Sequence, residues 1–418
     1  MDKIEVKGGK KLKGEVLISG AKNAALPVLA ASLLVDGKCI FTNVPELMDV
    51  SSILKLSYEL GAVVERENDR VLIDASGLNN PFAPYDLVRK MRASILVLGP
   101  LVARLGKASV SLPGGCAIGA RPVNLHIDAL EKLGAEISLS HGYINAKSSG
   151  LVGAEINFDS VTVTGTENIL MAAVLAKGTT VLRNAAREPE VKALADILNL
   201  MGAKIQGAGT AEIIIDGVDC LKPVETDIIP DRIETGTFMI ASAITKGDVL
   251  IKKCSPSHLK EVISKLRETG TIIETGDDWI RVRGVEDIKS INIKTMPYPG
   301  FPTDMQAQFM VLMSIANGVS TIKETIFENR FIHANELQRM GADIYLPSSN
   351  TAVVRGKKIL TGAPVMASDL RASASLVLAG LAAENTTIIN RVYHLDRGYE
   401  KMETKLKNLG AEIKRVSS

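Results

Sequence analysis

A short motif recurs six times along the chain at nearly constant spacing. It reads ELGAVV, KLGAEI, LMGAKI, ETGTII, RMGADI and NLGAEI, with glycines at Gly61, Gly134, Gly202, Gly270, Gly341 and Gly410. A second motif, an apolar helix followed by a turn and a short strand, keeps the same spacing, with its turn at Gly37, Gly106, Gly178, Gly247, Gly318 and Asn385. Self-similarity at a fixed period is a strong guide to architecture. The sequence therefore predicts six copies of one unit of about 70 residues.

Each unit contains two kinds of helix and a half-exposed sheet. The segment VKALADILNLMGA, residues 191–203, is amphipathic and ends at a glycine suited to a left-handed cap. By contrast, ENILMAAVLA and ASLVLAGLAA are apolar all round, which predicts helices buried on every side. The strands TTVLRN and DVLIKK alternate, so each should pack one face on the core. The predicted fold is α/β, with two inside-out domains of buried helices and outer sheets, each built from three repeated units.

Composition excludes several classes of function. A net charge of +2 and an aromatic content of 4% over 418 residues give no basic surface or stacking platform for nucleic acid, and no attraction to an anionic membrane. The first residues have no signal-peptide core and the apolar runs are too short to span a bilayer, so we expect a cytoplasmic protein. Cysteines and histidines are scattered, and no phosphate-loop motif is present. We expect no metal and no cofactor.

Polar residues stand at the start of every apolar helix. They are Lys22 and Asn23, Arg92 and Ser94, and residues 166–168, 232–235, 304–306 and 371–373. Two interpretations remain open. Ser, Thr, Asp and Asn are typical helix N-caps, which would make these residues structural. Cations are unfavourable at this positive end of a helix, so Lys22, Arg92 and Arg371 instead favour a bound anion.

The segment LPGGCAIGARPV, residues 112–123, places Cys116 and Arg121 among glycines and prolines. Glycine and proline interrupt helices and strands, so the segment is predicted to be a surface loop. Its thiol is either an ordinary loop cysteine or a catalytic group, and the pattern alone leaves both open.

Two further arginines lie near the ends of their repeats, Arg330 in FENRF and Arg397 in YHLDRGYE. Each is either a solvated surface charge or a ligand for an anion. If they turn towards the helix starts, the resulting cationic cleft would suit a substrate that carries both phosphate and carboxylate.

Nine segments spread over the whole chain carry a family resemblance. They are SGAKNAALP, KMRAS, LPGGCAIGARPVNLH, NAAREPEV, PDRIETGTF, FPTDMQAQF, FENRFIHANEL, DLRASASLVLAG and HLDRGYEK. The chain resembles the UDP-N-acetylglucosamine enolpyruvyltransferases of bacterial peptidoglycan synthesis. The resemblance implies transfer of the enolpyruvyl group of phosphoenolpyruvate to the 3-hydroxyl of UDP-N-acetylglucosamine with release of phosphate. This is the first committed step of cell-wall synthesis, and it supports cell shape and division.

The resemblance also implies a domain organisation. One inside-out domain would comprise residues 22–229 and carry the Cys116 loop, and the other would comprise residues 1–21 and 230–418. A double hinge would lie near residues 19–21 and 229–231. No metal or organic cofactor is implied.

Roles for individual residues follow from the same resemblance. Cys116 would be the acid at C3 of phosphoenolpyruvate, able to form an adduct with it, and Asp304 the base at the sugar hydroxyl. The implied phosphate contacts are Lys22, Arg121 and Arg397. The implied remaining anion contacts are Arg92, Arg330 and Arg371. The implied sugar-nucleotide contacts are Asn23, Arg121, Pro122, Val123, Asn124, Leu125, Asp304 and Ile326.

One stretch departs from the family pattern. Residues 161–168 read VTVTGTEN where the family reads closer to SVGAT, so no uridine-diphosphate contact is assigned there. Two alternatives to the implied function stay open. One is the related 5-enolpyruvylshikimate 3-phosphate synthase, which lacks the cysteine loop. The other is a non-catalytic homologue with a binding or regulatory role, which the fold alone does not exclude.

Overall fold

The computed structural model of the protein describes residues 2–89, 91–112 and 123–417. These residues form two compact units. One contains the described residues from 20 to 229, and the other contains residues 2–19 and 230–417. Each unit encloses its own hydrophobic core. The domain boundaries expected from the family stay a prediction, which this division supports.

The described residues form thirteen α-helices, labelled in chain order. They are α1 Lys22–Ala31, α2 Met48–Glu59, α3 Tyr85–Val88, α4 Leu98–Leu105, α5 Asn124–Lys132, α6 Val163–Ala173, α7 Pro189–Leu200, α8 Arg232–Ile244, α9 Lys260–Glu268, α10 Gln306–Ser314, α11 Ala334–Arg339, α12 Leu370–Ala382 and α13 Met402–Asn408. Short 3₁₀ helices span Ser32–Leu34, Arg92–Val97, Pro256–Leu259, Thr303–Met305 and Val392–Arg397.

The same residues form 26 strands. They are β1 Lys3–Lys7, β2 Lys13–Leu17, β3 Lys38–Thr42, β4 Val63–Glu67, β5 Arg70–Asp74, β6 Phe82–Ala83, β7 Lys107–Ser111, β8 Glu136–Ser140, β9 Tyr143–Lys147, β10 Glu155–Asn157, β11 Thr179–Arg183, β12 Lys204–Gln206, β13 Glu212–Asp216, β14 Glu225–Asp227, β15 Asp248–Lys252, β16 Ile272–Thr275, β17 Trp279–Arg283, β18 Ile293–Lys294, β19 Val319–Lys323, β20 Asp343–Ser348, β21 Thr351–Arg355, β22 Leu360–Thr361, β23 Pro364–Met366, β24 Ala383–Glu384, β25 Thr386–Asn390 and β26 Glu412–Val416.

Within the described residues, six four-stranded sheets repeat one topology. In each sheet the first strand in spatial order runs parallel to the second. The second is antiparallel to the third, and the third is antiparallel to the fourth. The orders are β14-β3-β5-β4, β6-β7-β9-β8 and β10-β11-β13-β12 in the first unit, and β2-β15-β17-β16, β18-β19-β21-β20 and β23-β25-β1-β26 in the second. β22 and β24 add a two-stranded sheet. The six predicted copies are therefore present, three in each unit.

Three strands complete sheets whose other strands are distant in sequence. β14, at the end of the first unit, runs parallel to β3 near its beginning. In the second unit, β2 pairs with β15, and β1 lies between β25 and β26. The amino-terminal 19 residues are thus part of the unit that contains the carboxyl terminus.

The helices and strands show the predicted inside-out burial. All nine residues of α10 are buried, as are eleven of the thirteen in α12. The strands alternate instead, so that β11 buries its second and fourth residues and exposes both ends. All six glycines of the LGA-type motif have φ between 90° and 106°. The predicted fold class and the predicted left-handed caps are confirmed. Among the described helices, none is long and apolar enough to cross a membrane.

Candidate active site

A carboxylate held by two buried arginines forms the centre of the site in the second unit. Asp304 lies on the 3₁₀ turn that leads into α10. Its Oδ1 accepts a hydrogen bond from Arg330 Nη2 at 2.8 Å, and its Oδ2 accepts from Arg371 Nε and Nη2 at 3.1 and 2.9 Å. The side chain of Asp304 is 26% exposed, whereas each arginine side chain is 4% exposed. Solvent therefore reaches the carboxylate and hardly reaches its partners.

Arg371 packs between Asp304 and a buried tyrosine. Its guanidinium carbon lies 5.4 Å from the ring centre of Tyr399, whose hydroxyl is 2.9 Å from Thr237 Oγ1 and 3.2 Å from Gln308 Nε2. Burial is the largest single influence on Arg371 and lowers its pKa, but Asp304 and the other acidic groups around it together outweigh burial, so the net pKa is raised. Its Nη1 is buried without a hydrogen-bond partner among the described residues. One charged donor is thus left for a ligand.

A buried glutamate shapes the turn that precedes Arg330. Glu324 Oε1 accepts from Thr295 Oγ1 at 2.9 Å and from the Ile326 backbone N–H at 2.8 Å, while Oε2 accepts from Thr303 Oγ1 at 2.9 Å. Thr303 is the residue before Asp304, so the Glu324 carboxylate connects the 324–327 turn to the turn that carries Asp304. Ile326 itself is 37% exposed, as a ligand-contacting side chain on that turn would be.

Arg397 ends the 3₁₀ helix Val392–Arg397 and is half-buried. Its preceding residue, Asp396, accepts two hydrogen bonds from Arg415, at 3.0 and 2.6 Å. Tyr399, two residues further on, is fixed in the core. Arg397 therefore projects from a backbone that is anchored on both sides.

In the first unit, the predicted cation Lys22 is the first residue of α1. Its Nζ lies 3.4 Å from Asp49 Oδ2 in the first turn of α2, and the two side chains are 12% and 5% exposed. Asn23 follows and is half-buried. A carboxylate thus compensates the lysine at this helix start, as Asp304 compensates Arg371 at the start of α12.

His126 is a buried histidine close enough to Arg92 for the arginine's charge to affect its pKa. His126 Nδ1 is 2.9 Å from Asn168 Nδ2, and the amide orientation is fixed because Asn168 Oδ1 accepts the Gly99 N–H at 2.7 Å. Nδ1 must therefore accept, so Nε2 carries the proton and donates to Thr164 Oγ1 at 3.3 Å. Burial, and then the charge of Arg92, lower the pKa of His126 to about 4. The ring is uncharged at neutral pH.

The stretch that departs from the family pattern contributes a buried acid. Glu167 in α6 is 2% exposed, and burial together with Glu190 and Glu188 raises its pKa well above the usual range. Burial beside two further carboxyl groups favours the protonated form of Glu167. The stretch at residues 161–168 therefore places Glu167 beside Glu188 and Glu190, and it adds no cation to the site.

The helix starts test the first interpretation of their polar residues, that these residues are N-caps. The side chains that cap α6, α8 and α12 are Thr162, Asp231 and Asp369, all earlier in sequence than the predicted residues. N-capping by the predicted residues is therefore wrong for these three helices. Their hydroxyls instead donate to the N-cap carbonyl one turn back, at 2.6 to 2.8 Å. These pairs are Thr166 with Thr162, Thr235 with Asp231, and Ser373 with Asp369.

The remaining predicted residues fall into two groups. Arg92 begins its 3₁₀ helix, Val123 precedes α5, and Asn124 and Leu125 form its first turn, with Asn124 exposed. Cys116, Arg121 and Pro122 lie outside the described residues. Across the described ranges there is no cluster of three His, Cys, Asp or Glu side chains able to hold a metal ion.

Sequence reasoning missed His126, Glu324 and Tyr399. Each lies within a few residues of a predicted contact but belongs to no spacing motif. Tyr399 lies two residues after Arg397 in the quoted segment HLDRGYEK, and an aromatic ring that close to a predicted anion-binding arginine is the signal that could have found it.

Comparison with known proteins defines the class first. The family described as EPSP synthase (3-phosphoshikimate 1-carboxyvinyltransferase) matches residues 6–406. Among solved structures, the enolpyruvyl transferase NikO from Streptomyces tendae matches with a TM-score of 0.90 and 24% identity, over 100% of this chain and 99% of that chain. An EPSP synthase from Acinetobacter baumannii matches with a TM-score of 0.78 and 19% identity over the whole of both chains. The fold is that of the enolpyruvyl transferases.

Closer relatives share most of the sequence. Proteins named UDP-N-acetylglucosamine 1-carboxyvinyltransferase from Desulfosudis oleivorans and Desulforapulum autotrophicum are each 64% identical over 100% of both chains. The protein of that name from Geobacter metallireducens is 60% identical, also over 100% of both chains. This chain belongs to the UDP-N-acetylglucosamine 1-carboxyvinyltransferase family. The resemblance expected from the nine segments is confirmed.

Proposed function

We propose that the protein transfers the enolpyruvyl group of phosphoenolpyruvate to the 3-hydroxyl of UDP-N-acetylglucosamine and releases phosphate. The observation that carries the proposal is 64% identity, over the full length of both chains, to relatives that bear this activity in their name. The Asp304 centre adds the chemistry, because a solvent-facing carboxylate beside buried guanidinium groups suits proton transfer next to an anionic substrate.

The reaction is an addition followed by an elimination. The sugar hydroxyl adds to C2 of phosphoenolpyruvate while C3 gains a proton and the hydroxyl proton leaves. The resulting tetrahedral intermediate then loses phosphate and a proton from C3, which restores the double bond. The steps require a base, an acid and cations for phosphate and carboxylate.

Asp304 is proposed as the base. Both of its oxygens accept hydrogen bonds from arginines, which take up part of their capacity to accept the proton of the sugar hydroxyl. A substrate carboxylate that binds Arg371 or Arg330 would release one of these oxygens. Binding of phosphoenolpyruvate would thus make an oxygen of Asp304 available to the hydroxyl of UDP-N-acetylglucosamine.

The buried Nη1 of Arg371 also supports the replacement of Asp304 by a substrate carboxylate as the hydrogen-bond partner of this arginine. A buried donor without a partner costs about 1–3 kcal/mol, which a bound anion would remove. Guanidinium groups bind carboxylates in a planar, bidentate geometry. Arg371 and Arg330 are therefore proposed for the carboxylate of phosphoenolpyruvate. Lys22, Arg121 and Arg397 are proposed for its phosphate, with Arg92 as a further anion contact.

Cys116 is proposed as the acid at C3, with Asn23, residues 121–125 and Ile326 on the sugar nucleotide. The role of Cys116 rests on its loop, LPGGCAIGARPVNLH, which matches the family pattern. A thiol has an ordinary pKa near 8.5, which is low enough for it to donate a proton at neutral pH.

The biological setting follows from the activity. We propose a cytoplasmic enzyme of peptidoglycan synthesis, and hence of cell shape and division, whose two domains correspond to residues 22–229 and to residues 1–21 with 230–418. No nucleic acid, membrane or cofactor is part of the proposal.

A phosphate-release assay tests the proposal. The protein should release phosphate from phosphoenolpyruvate when UDP-N-acetylglucosamine is present and should release none with shikimate 3-phosphate. Release with shikimate 3-phosphate instead would identify the sister activity. No release with either acceptor would favour the non-catalytic homologue.

Substitutions of Cys116 test its role. Cys116→Asp should retain activity with the pH optimum moved to lower pH, because a carboxyl with an ordinary pKa near 3.9 is protonated only in acid. Cys116→Ser should be nearly inactive, since a hydroxyl is too weak an acid. Thiol-directed alkylating agents should inactivate the wild type and spare Cys116→Asp. Full turnover by Cys116→Ser would leave the thiol with no part in catalysis.

A further inference from the structure

Four side chains with no predicted catalytic or substrate-binding role form one hydrogen-bonded cluster in the second unit, here called the Ser19 cluster. Its members are Ser19, Glu234, Glu400 and Lys405. Glu234 Oε2 accepts the Ser19 backbone N–H at 2.8 Å, and its Oε1 accepts from Lys405 Nζ at 2.6 Å. Lys405 also donates to Ser19 Oγ at 2.7 Å, and the Ser19 hydroxyl donates to Glu400 Oε2.

The Ser19 hydroxyl is the central link of this cluster. It accepts a hydrogen bond from the Lys405 ammonium group and donates one to the Glu400 carboxylate, so both of these hydrogen bonds involve a charged partner. Glu234 is 2% exposed and Lys405 is 18% exposed, which protects these bonds from water. Such bonds hold their geometry better than exposed pairs do.

The position of the cluster in the chain connects two functional segments. Ser19 is the last residue of its unit before the chain passes to the other unit at Gly20. Glu400 follows Arg397 by three residues, in a segment that Asp396 and Tyr399 also anchor. A displacement of Glu400 is therefore transmitted over a few bonds to the backbone that carries Arg397.

We propose that Ser19, Glu234 and Lys405 are positioning residues, which fix Glu400 and through it the Arg397 guanidinium where it binds the phosphate of the donor. The inference rests on the proposed function for its kinetic consequence. None of the three touches the reacting atoms, so they act through Arg397. Misplacement of a binding group by about 1 Å can cost about 10²-fold in rate.

Substitutions of Ser19 provide the sharpest test. Ser19→Ala deletes only the bridging hydroxyl, and Ser19→Thr keeps it. We expect Ser19→Ala to raise the KM for phosphoenolpyruvate about ten-fold with an unchanged KM for UDP-N-acetylglucosamine. Ser19→Thr should stay close to wild type. An unchanged KM for phosphoenolpyruvate in Ser19→Ala, or an equal rise for both substrates, would overturn the proposal.

A double-substitution cycle separates positioning from general destabilisation. In the Arg397→Ala background, Ser19→Ala should cause no further loss, because the residue through which it acts is gone. Independent, multiplying losses would contradict the proposal. Lys405→Met should behave as Ser19→Ala does. Its matched control is Lys252→Met, which breaks the exposed pair with Glu15, 2.7 Å away on an outer sheet, and should leave the KM for phosphoenolpyruvate unchanged.

Hydrogen exchange keeps the inference testable if the proposed function fails. Absence of phosphate release by the wild type would refute the function alone. Peptides that contain residues 397–401 should exchange faster in Ser19→Ala than in the wild type and at the wild-type rate in Ser19→Thr. If exchange is the same in all three proteins, or faster in both variants, the Ser19 cluster does not position this segment.

Discussion

At the scale of single residues, Asp304 joins stability and function. Its two arginines are nearly excluded from water, and its carboxylate is their charge partner in the described structure. Buried ion pairs contribute little net stability while intact, but removal of one partner leaves an uncompensated charge. A bound anion could therefore replace part of the negative charge that Asp304 provides to Arg330 and Arg371.

The first prediction concerns Asp304→Asn. The amide has nearly the same size but no charge, so Arg330 and Arg371 lose their carboxylate while buried. We expect a loss of about 3–5 kcal/mol in the free energy of unfolding and a fall of at least about 10²-fold in phosphate release. Urea denaturation and the phosphate assay measure the two effects.

The matched control is Asp248→Asn. Asp248 accepts two hydrogen bonds from Arg281, both at 2.8 Å, which reproduces the chemistry on an exposed sheet face. Exposed pairs of this kind contribute little, so stability and activity should stay near wild type. Equal destabilisation by both substitutions would mean that burial of the arginines is not what makes Asp304 important.

The second prediction concerns the charge of two buried histidines. Burial is the main cause that lowers the pKa of both His126 and His333 to about 4, with Arg92 and Arg330 as the nearby cations. Both rings should therefore remain neutral from pH 8 down to about pH 5. The ¹³Cε1 signals, assigned with His126→Gln and His333→Gln, report this directly. A midpoint near the ordinary 6.5 for either ring would contradict the structure.

The sign of the linked stability effect follows. The pKa in the folded state is below that of the unfolded chain, so unfolding takes up protons between pH 6.5 and about 4. The stabilisation that each neutral ring provides is fully present above pH 6.5 and is lost as the pH falls to about 4. Each pKa unit of difference corresponds to roughly 1.4 kcal/mol.

Only part of the residue-level site could be predicted from sequence. Arg371 and Asp304 stand out because both begin apolar helices, where a charge needs a reason. Glu324, Tyr399 and His126 give no such signal, since their partners are 21 to 162 residues away in sequence. Contacts over such separations depend on the packing of whole elements, which local patterns do not encode.

At the scale of elements, the repeat that contains α11 holds two kinds of glycine. Gly341 follows α11 with φ of +90°, and a Cβ there would meet nothing closer than 3.7 Å. Gly356 follows β21, and a Cβ there would lie 1.6 Å from the Ala316 carbonyl oxygen at the end of a buried helix segment. The first glycine is required by backbone conformation and the second by close approach of two elements.

The third prediction compares these two positions. Gly341→Ala should cost about 1–2 kcal/mol, the penalty for a left-handed alanine without a clash. Gly356→Ala should cost more, because the Ala316 backbone must move away from the sheet. Urea midpoints of the two variants, which lie in the same repeat, give the comparison. A larger loss for Gly341→Ala would show that helix termination, rather than helix-to-sheet approach, is the tighter constraint.

Elements were more predictable than individual contacts. The sequence predicts an amphipathic helix at residues 191–203, and α7 spans Pro189–Leu200 and overlaps most of that segment. The prediction succeeds because the apolar spacing of 3 and 4 residues is a local property. The start of the second buried helix was less regular, with a 3₁₀ turn at Arg92–Val97 before α4. Pro100 explains part of this difference, since it has no N–H to donate and as the third residue of α4 it lies in the first turn, where none is needed.

At the scale of the whole molecule, the order of strands determines which pieces of chain can fold together. Residues 20–229 complete their three sheets with their own strands, because β14 returns to β3. The second unit does not complete its sheets from residues 230–417 alone. Without β1, strands β25 and β26 lose the partner between them, and without β2, strand β15 has an unpaired edge.

The last prediction uses the register of β1 against β26. Lys3 pairs with Val416, so these two residues lie side by side and a short Gly-Ser linker can join the two ends of the chain. A permuted chain, residues 230–418, the linker and then residues 1–19, should fold alone with dispersed amide signals and a cooperative urea transition. Residues 230–418 without the amino-terminal segment should not, because two of three sheets would have unpaired edges next to a core that opens to water. Addition of a peptide of residues 1–19 should restore the fold in a concentration-dependent manner. If residues 230–418 folded equally well alone, the amino-terminal strands would be an accessory, and the assignment of residues 1–19 to this unit would be wrong.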